Sequence, residues 1–102
     1  MVVNLKENEV VIKARSGNHI IGREKIPGKM IVTNQRVYFY SMDTSEKSVK
    51  LEILPGDIHE LIFFRTMLLN PNGLNVVLKD GRKLCFHLKK RDEMGVLINK
   101  MY

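Results

Sequence analysis

Apolar and polar residues alternate along most of the chain, and turn-forming residues cut that alternation into short lengths. Successive side chains on a β-strand point to opposite faces, so a period of two marks a half-buried strand. Val10, Ile12 and Ala14 face one way while Lys13 and Arg15 face the other. Val49, Leu51 and Ile53 alternate with Lys50 and Glu52; Leu74, Val76 and Leu78 alternate with Asn75, Val77 and Lys79; Leu84, Phe86 and Leu88 alternate with Cys85 and His87. The breaks are Ser16-Gly17-Asn18, Pro27-Gly28, Thr33-Asn34-Gln35, the polar stretch Met42 to Lys47, Pro55-Gly56, Asn70-Pro71-Asn72-Gly73 and Asp80-Gly81. Spacing of this kind is that of an antiparallel all-β domain, with Asp80-Gly81 as the tip of a tight hairpin. Near the C-terminus the period changes. Met94, Leu97, Ile98 and Met101 fall at i, i+3, i+4 and i+7, one stripe of a helix expected within residues 91–101, with Asp92 as its cap.

The pattern predicts about seven antiparallel strands closed at one end by a C-terminal helix. Its expected core is Val10, Ile12, Met30, Val32, Val37, Phe39, Leu51, Ile53, Leu74, Val76, Leu84, Phe86, Leu97 and Ile98. At 102 residues the chain holds one domain, 1–102, with residues 1–8 as a loose N-terminal arm. An apolar fraction of 44% and a charged fraction of 27% exclude wholesale disorder. The longest apolar runs, Val37 to Tyr40 and Leu61 to Phe64, are far too short to span a bilayer as a helix, and Met1 to Glu7 does not read as a secretion signal. One cysteine, Cys85, cannot form an internal disulfide, which fits a cytoplasmic protein, free or peripheral to a membrane.

Charge changes the picture. The net +6 is concentrated: Lys13 to Arg36 and Lys79 to Arg91 each hold six basic residues against one acid, and the intervening stretch is slightly acidic. Two basic segments in such a chain point to an anionic partner. Lys13, Arg15, Arg23, Lys25 and Arg36 fall on three consecutive segments that a meander would bring side by side, so they are the expected ligand-binding residues.

Three stretches carry a resemblance to a known family. Gly28-Lys29-Met30-Ile31-Val32-Thr33-Asn34-Gln35-Arg36-Val37-Tyr38-Phe39 is similar to the glycine, alternating hydrophobics, Thr-Asn turn, arginine and aromatic positions of GRAM domains and their bacterial relatives with a pleckstrin-homology-like fold. Ile53-Leu54-Pro55-Gly56-Asp57-Ile58 resembles the family's Asp-Ile segment, and Leu74 through Phe86 its closing hairpin. The resemblance implies a mainly β, pleckstrin-homology-like barrel and a non-catalytic binding or adaptor role. Lipid-binding members carry a lysine on the first strand and a basic-x-arginine on the second; Lys13 and Arg23-Glu24-Lys25 resemble that pattern, with lysine in the arginine's place.

Other chemistry has little to stand on. His19, His59 and His87 lie on different expected strands with no nucleophile spaced for a triad, and the seven glycines form no phosphate loop. Cys85 and His87 share one strand face, but a structural zinc site needs four ligands, so no metal or cofactor is expected. Arg36, Tyr38 and Tyr40 are expected on one outward face, with Lys29 and Ile31 beside them. Basic residues beside aromatics suit a nucleic acid as well as a protein contact or self-association. The leading expectation is engagement of an anionic lipid headgroup or membrane surface; protein binding or homodimerisation comes second and nucleic acid third.

Overall fold

The structure, a computed structural model, describes residues 5–41, 50–66 and 72–101. The expected turns within Met42 to Lys47 and at Asn70-Pro71, and the strand position Val49, lie outside the described residues. Seven strands follow in chain order: β1 (Val11–Ile21), β2 (Glu24–Thr33), β3 (Val37–Ser41), β4 (Lys50–Ile53), β5 (Ile58–Phe64), β6 (Gly73–Leu78) and β7 (Lys83–Leu88). A short 3-10 turn, Pro55–Asp57, leads into β5, and the helix α1 (Arg91–Asn99) follows β7. The strands form one antiparallel sheet in the order β4-β3-β2-β1-β7-β6-β5. It curls into a half-barrel of the pleckstrin-homology-like kind, with α1 across it. β1 is the central strand: it alone joins the β2–β4 meander to the β5–β7 meander.

The inner face holds Met30 and Val32 of β2, Val37 and Phe39 of β3, Ile53 of β4, Leu74, Val76 and Leu78 of β6, and Phe86 and Leu88 of β7. Met94 and Ile98 of α1 complete it, with Leu51, Leu84, Leu97 and Met101 packed at its margin. These positions follow the expected alternation and the helix stripe closely.

The first strand does not. Directly opposed residues on paired strands share a face, and Lys13 opposes Val32, Arg15 opposes Met30, and His19 opposes Phe86. From Lys13 to His19 the odd-numbered residues of β1 therefore point inward, while Val10 and Ile12, expected in the core, are 62% and 49% exposed. A register irregularity between Val11 and Lys13 accompanies the inversion. Sterics hold it in place. Gly17 opposes Gly28 on one side and Leu88 on the other. A Cβ at Gly17 would collide with the His87 carbonyl and the Leu88 side chain, and one at Gly28 with the Tyr40 carbonyl. The sheet closes most tightly where side chains are absent.

Two further positions differ from expectation. The helix N-cap is Lys90, in a left-handed conformation with φ of 53° and no side-chain cap; Asp92 instead lies in the first turn, pairs with Arg91 and suits the helix dipole there. Arg91 is buried and donates from one guanidinium nitrogen to the carbonyls of Phe64 at 3.0 Å and Gly73 at 2.8 Å, which ties the start of α1 to β5 and β6. Residues 6–10, most of which were expected in the loose arm, are held to the β2–β3 turn: Asn34 accepts from the Val10 N–H at 2.8 Å and donates to the Asn8 carbonyl at 3.0 Å, and Gln35 donates to the Glu7 carbonyl at 3.0 Å.

Phe39 and Phe86 are fully buried, with ring centroids 5.3 Å apart, and bring the two meanders into contact. Truncating either to alanine is expected to cost about 3 to 5 kcal/mol, read as a lowered urea midpoint at unchanged m-value. Losses below about 1 kcal/mol at both would place them on the wrong face.

Candidate functional site

The five basic residues singled out by sequence do not form one patch. Lys13 and Arg15, on the inner face of β1, reach the start of α1, where both pair with the same oxygen of Glu93: Lys13 Nζ at 3.1 Å and an Arg15 guanidinium nitrogen at 2.9 Å. These two bonds, Lys13 first and then Arg15, hold the Glu93 carboxyl below its ordinary range. Arg36 lies at the β2–β3 turn on the outer face, but only 4% of it is exposed. Its Nε and one terminal nitrogen donate to the two oxygens of Glu9, each at 2.8 Å. Another terminal nitrogen pairs with Glu52 at 3.2 Å, and the guanidinium stands 4.0 Å over the Tyr38 ring. Glu9 is enclosed as well: the Thr33 hydroxyl donates to it at 2.6 Å and the Lys6 N–H at 2.9 Å. Burial alone would raise Glu9, but the Thr33 and Lys6 hydrogen bonds and the Arg36 guanidinium outweigh it and pull the carboxyl from 4.5 down to about 2. Arg36 is thus the inner partner of a structural ion pair that fastens residues 5–10 to the sheet. Ile31, expected on an outward surface, is also buried.

Arg23 and Lys25 are placed differently. The β1–β2 hairpin turns at Gly22, with φ of 60°, and exposes Ile21, Arg23, Glu24 and Lys25 together. Lys25 also lines a groove of about 690 Å³ on the outer side of the sheet. Besides β2, three parts of the chain meet there. β1 supplies Ser16 and Asn18; β7 and the residue after it supply His87 and Lys89; Thr66 and Asn72, hydrogen-bonded to each other, flank the start of β6. The floor is fixed by the sheet, since Asn18 opposes His87 on β7 and His87 opposes Gly73 on β6. Among the described residues no carboxylate lines the groove, and neither Lys25 nor Lys89 has an ion-pair partner. Two ammonium groups and several neutral hydrogen-bonding side chains around an open cavity suit an anion with polar substituents.

Sequence reasoning reached Lys25 but not this groove, and it placed His87 on one strand face with Cys85 without joining it to Lys25. No local signal marks the groove: the pairing of β1 with β7 brings Ser16 to Asn18 beside His87 to Lys89. The remaining reactive side chains are ill suited to chemistry. Burial pushes the Cys85 thiol up, with Lys83 only partly opposing it, and a thiol so shifted is a poor nucleophile. Among the described residues no three His, Cys, Asp or Glu gather where they could hold a metal ion.

No protein-family model matches the chain, and no curated protein sequence does. Solved structures do. The C-terminal domain of an unknown protein from Leishmania infantum superposes with a TM-score of 0.78 at 14% identity, over 93% of this chain and 86% of that one. The Vps36 N-terminal PH domain superposes with a TM-score of 0.71 at 17% identity, over 96% of this chain and 85% of that one. At such identities the likeness is one of fold: a pleckstrin-homology-like half-barrel.

Removing Glu9 would leave Arg36 buried without its bidentate partner, so Glu9→Ala is expected to cost about 3 to 5 kcal/mol at neutral pH. Because folding lowers the Glu9 pKa, its contribution is complete above the ordinary carboxylate value and is lost as pH falls from 4.5 towards 2. Denaturant midpoints measured across that window should therefore fall less steeply for Glu9→Ala than for the parent protein.

Proposed function

We propose that this domain is a non-catalytic binding module that engages anionic lipid headgroups at a membrane surface, using the hairpin tip and the groove beside it. One observation carries the reading: Lys25 and Lys89 face a groove with no acid among the described residues of its lining, whereas Lys13, Arg15 and Arg36 are already matched by Glu93, Glu9 and Glu52. The exposed Ile21 adds an apolar residue at the tip, next to Arg23 and Lys25, as expected of a loop that enters the headgroup layer. The likeness of Gly28 to Phe39 to the GRAM pattern favours the same class of role.

A cation near an anionic leaflet contributes about 1 kcal/mol, so Arg23, Lys25 and Lys89 together support weak, salt-sensitive attachment. Co-sedimentation with vesicles, with and without anionic lipid and at low and high salt, tests this. The parent protein should pellet with anionic vesicles at low salt and be released at high salt. Arg23→Glu combined with Lys25→Glu should abolish pelleting and move the thermal midpoint by only a few degrees. Lys13→Gln, which removes a cation already paired with Glu93, should change pelleting little. Equal partitioning to neutral and anionic vesicles at low salt would overturn the reading and leave a protein contact as the better account.

A further inference from the structure

His87 lines the same groove as Lys25 and Lys89. It is not carried on a mobile arm. Its backbone is paired on both sides, to Asn18 of β1 and Gly73 of β6, and its ring meets Phe64 edge-on, with centroids 5.8 Å apart and planes at 64°. The charged groups lining the groove with it are Lys25 from β2 and Lys89 just beyond β7. The other elements present only neutral groups: Ser16 and Asn18 from β1, Phe64 from β5, and Thr66 and Asn72 beside β6. The imidazole is therefore placed to become a third cation around any anion that enters.

The geometry points to His87 as the proton-sensing element of this groove: on protonation it joins Lys25 and Lys89 in holding a phosphate-type anion, so that capture strengthens as the pH falls from neutral to mildly acidic. This rests on the proposed reading of the groove as an anionic headgroup site and adds its regulation. In the empty groove, burial first and the Lys25 charge second hold His87 below its ordinary value, so the ring is neutral at pH 7.5. A bound anion reverses the local field. It favours the imidazolium, and binding then takes up a proton. By linkage, affinity rises as pH drops through the interval between the free and bound values, up to tenfold for each unit that separates them.

Vesicles of phosphatidylglycerol in neutral lipid are the probe, because the phosphodiester keeps its single charge from pH 7.5 to 5.5. The soluble headgroup glycerophosphoglycerol, in a parallel titration, separates recognition of the phosphodiester itself from attraction to the surface. The parent protein should bind the vesicles about tenfold more tightly at pH 5.5 than at pH 7.5. His87→Gln should lose that gain, binding no more tightly at pH 5.5 than it does itself at pH 7.5, apart from any pH effect of His19 and His59, which it keeps. His87→Lys should bind tightly at both pH values. A pH gain for the headgroup as well as the vesicle assigns the proton to the phosphodiester contact; a gain for the vesicle alone assigns it to the charged surface, with the same residue responsible. Binding that is equal at the two pH values, or a gain that His87→Gln retains, overturns the inference and leaves the lipid reading standing. Absence of vesicle binding at both pH values overturns the two together.

Discussion

The close approach of three backbones at Gly17 governs the rest of the molecule. β1 is the one strand shared by the two meanders, and at Gly17 it must pass Gly28 of β2 and Leu88 of β7 without room for a side chain. That fixes which parity of β1 points inward. Two residues further on, His19 is laid between Phe39 and Phe86, with ring centroids 5.7 and 4.8 Å away. Its Nδ1–H donates to the Cys85 carbonyl at 2.9 Å, so the polar edge of a buried ring is satisfied across the β1–β7 seam. Burial depresses its pKa, which keeps the ring neutral and compatible with the core near neutral pH.

The same constraint distributes the charge. Once odd-numbered residues of β1 face inward, Lys13 and Arg15 are directed along the inner face to Glu93 in the first turn of α1, where they help dock the helix. Even-numbered Ser16 and Asn18 face outward beside His87 and form one wall of the groove. At the β2–β3 turn, Arg36 is consumed by Glu9. A buried charge with a bidentate partner and further hydrogen bonds is a fastening, not a binding site. Basic residues adjacent in sequence thus serve two purposes: some hold the fold together, and others, Lys25 and Lys89, face solvent in a cavity with no acid among its described lining residues.

Much of the fold could be read from the sequence because β3, β4, β6, β7 and α1 obey a single period. Val37 and Phe39, Leu74 and Val76, and Met94 and Ile98 fall where alternation or the helix stripe places them. β1 resisted for a physical reason. Val10-Val11-Ile12 is an apolar run that either face could claim, and two cations nearby looked like a solvated face although their heads reach an acid at the mouth of the half-barrel. The informative residues were Gly17 and His19, which share the parity of Lys13 and Arg15 and would be odd choices for an outer face. The groove was illegible because its lining, Ser16 to Asn18, Lys25, Phe64, Thr66, Asn72 and His87 to Lys89, is scattered in sequence and is brought together by the pairings of β1 with β2 and β7 and of β6 with β5 and β7. Local patterning reports which residues a strand buries, not which distant strand it meets.

The placement of charge depends on the inward parity of β1, and proton–proton contacts in solution report it directly. Nuclear Overhauser effects from the His19 ring should reach the ring protons of both Phe39 and Phe86, with none from Ile12 or Ile20 side chains to those aromatics. Strong contacts from Ile20 to Phe86, together with a His19 ring in contact with solvent alone, would contradict the account. They would turn Lys13 and Arg15 outward and dissolve the distinction between structural and available cations.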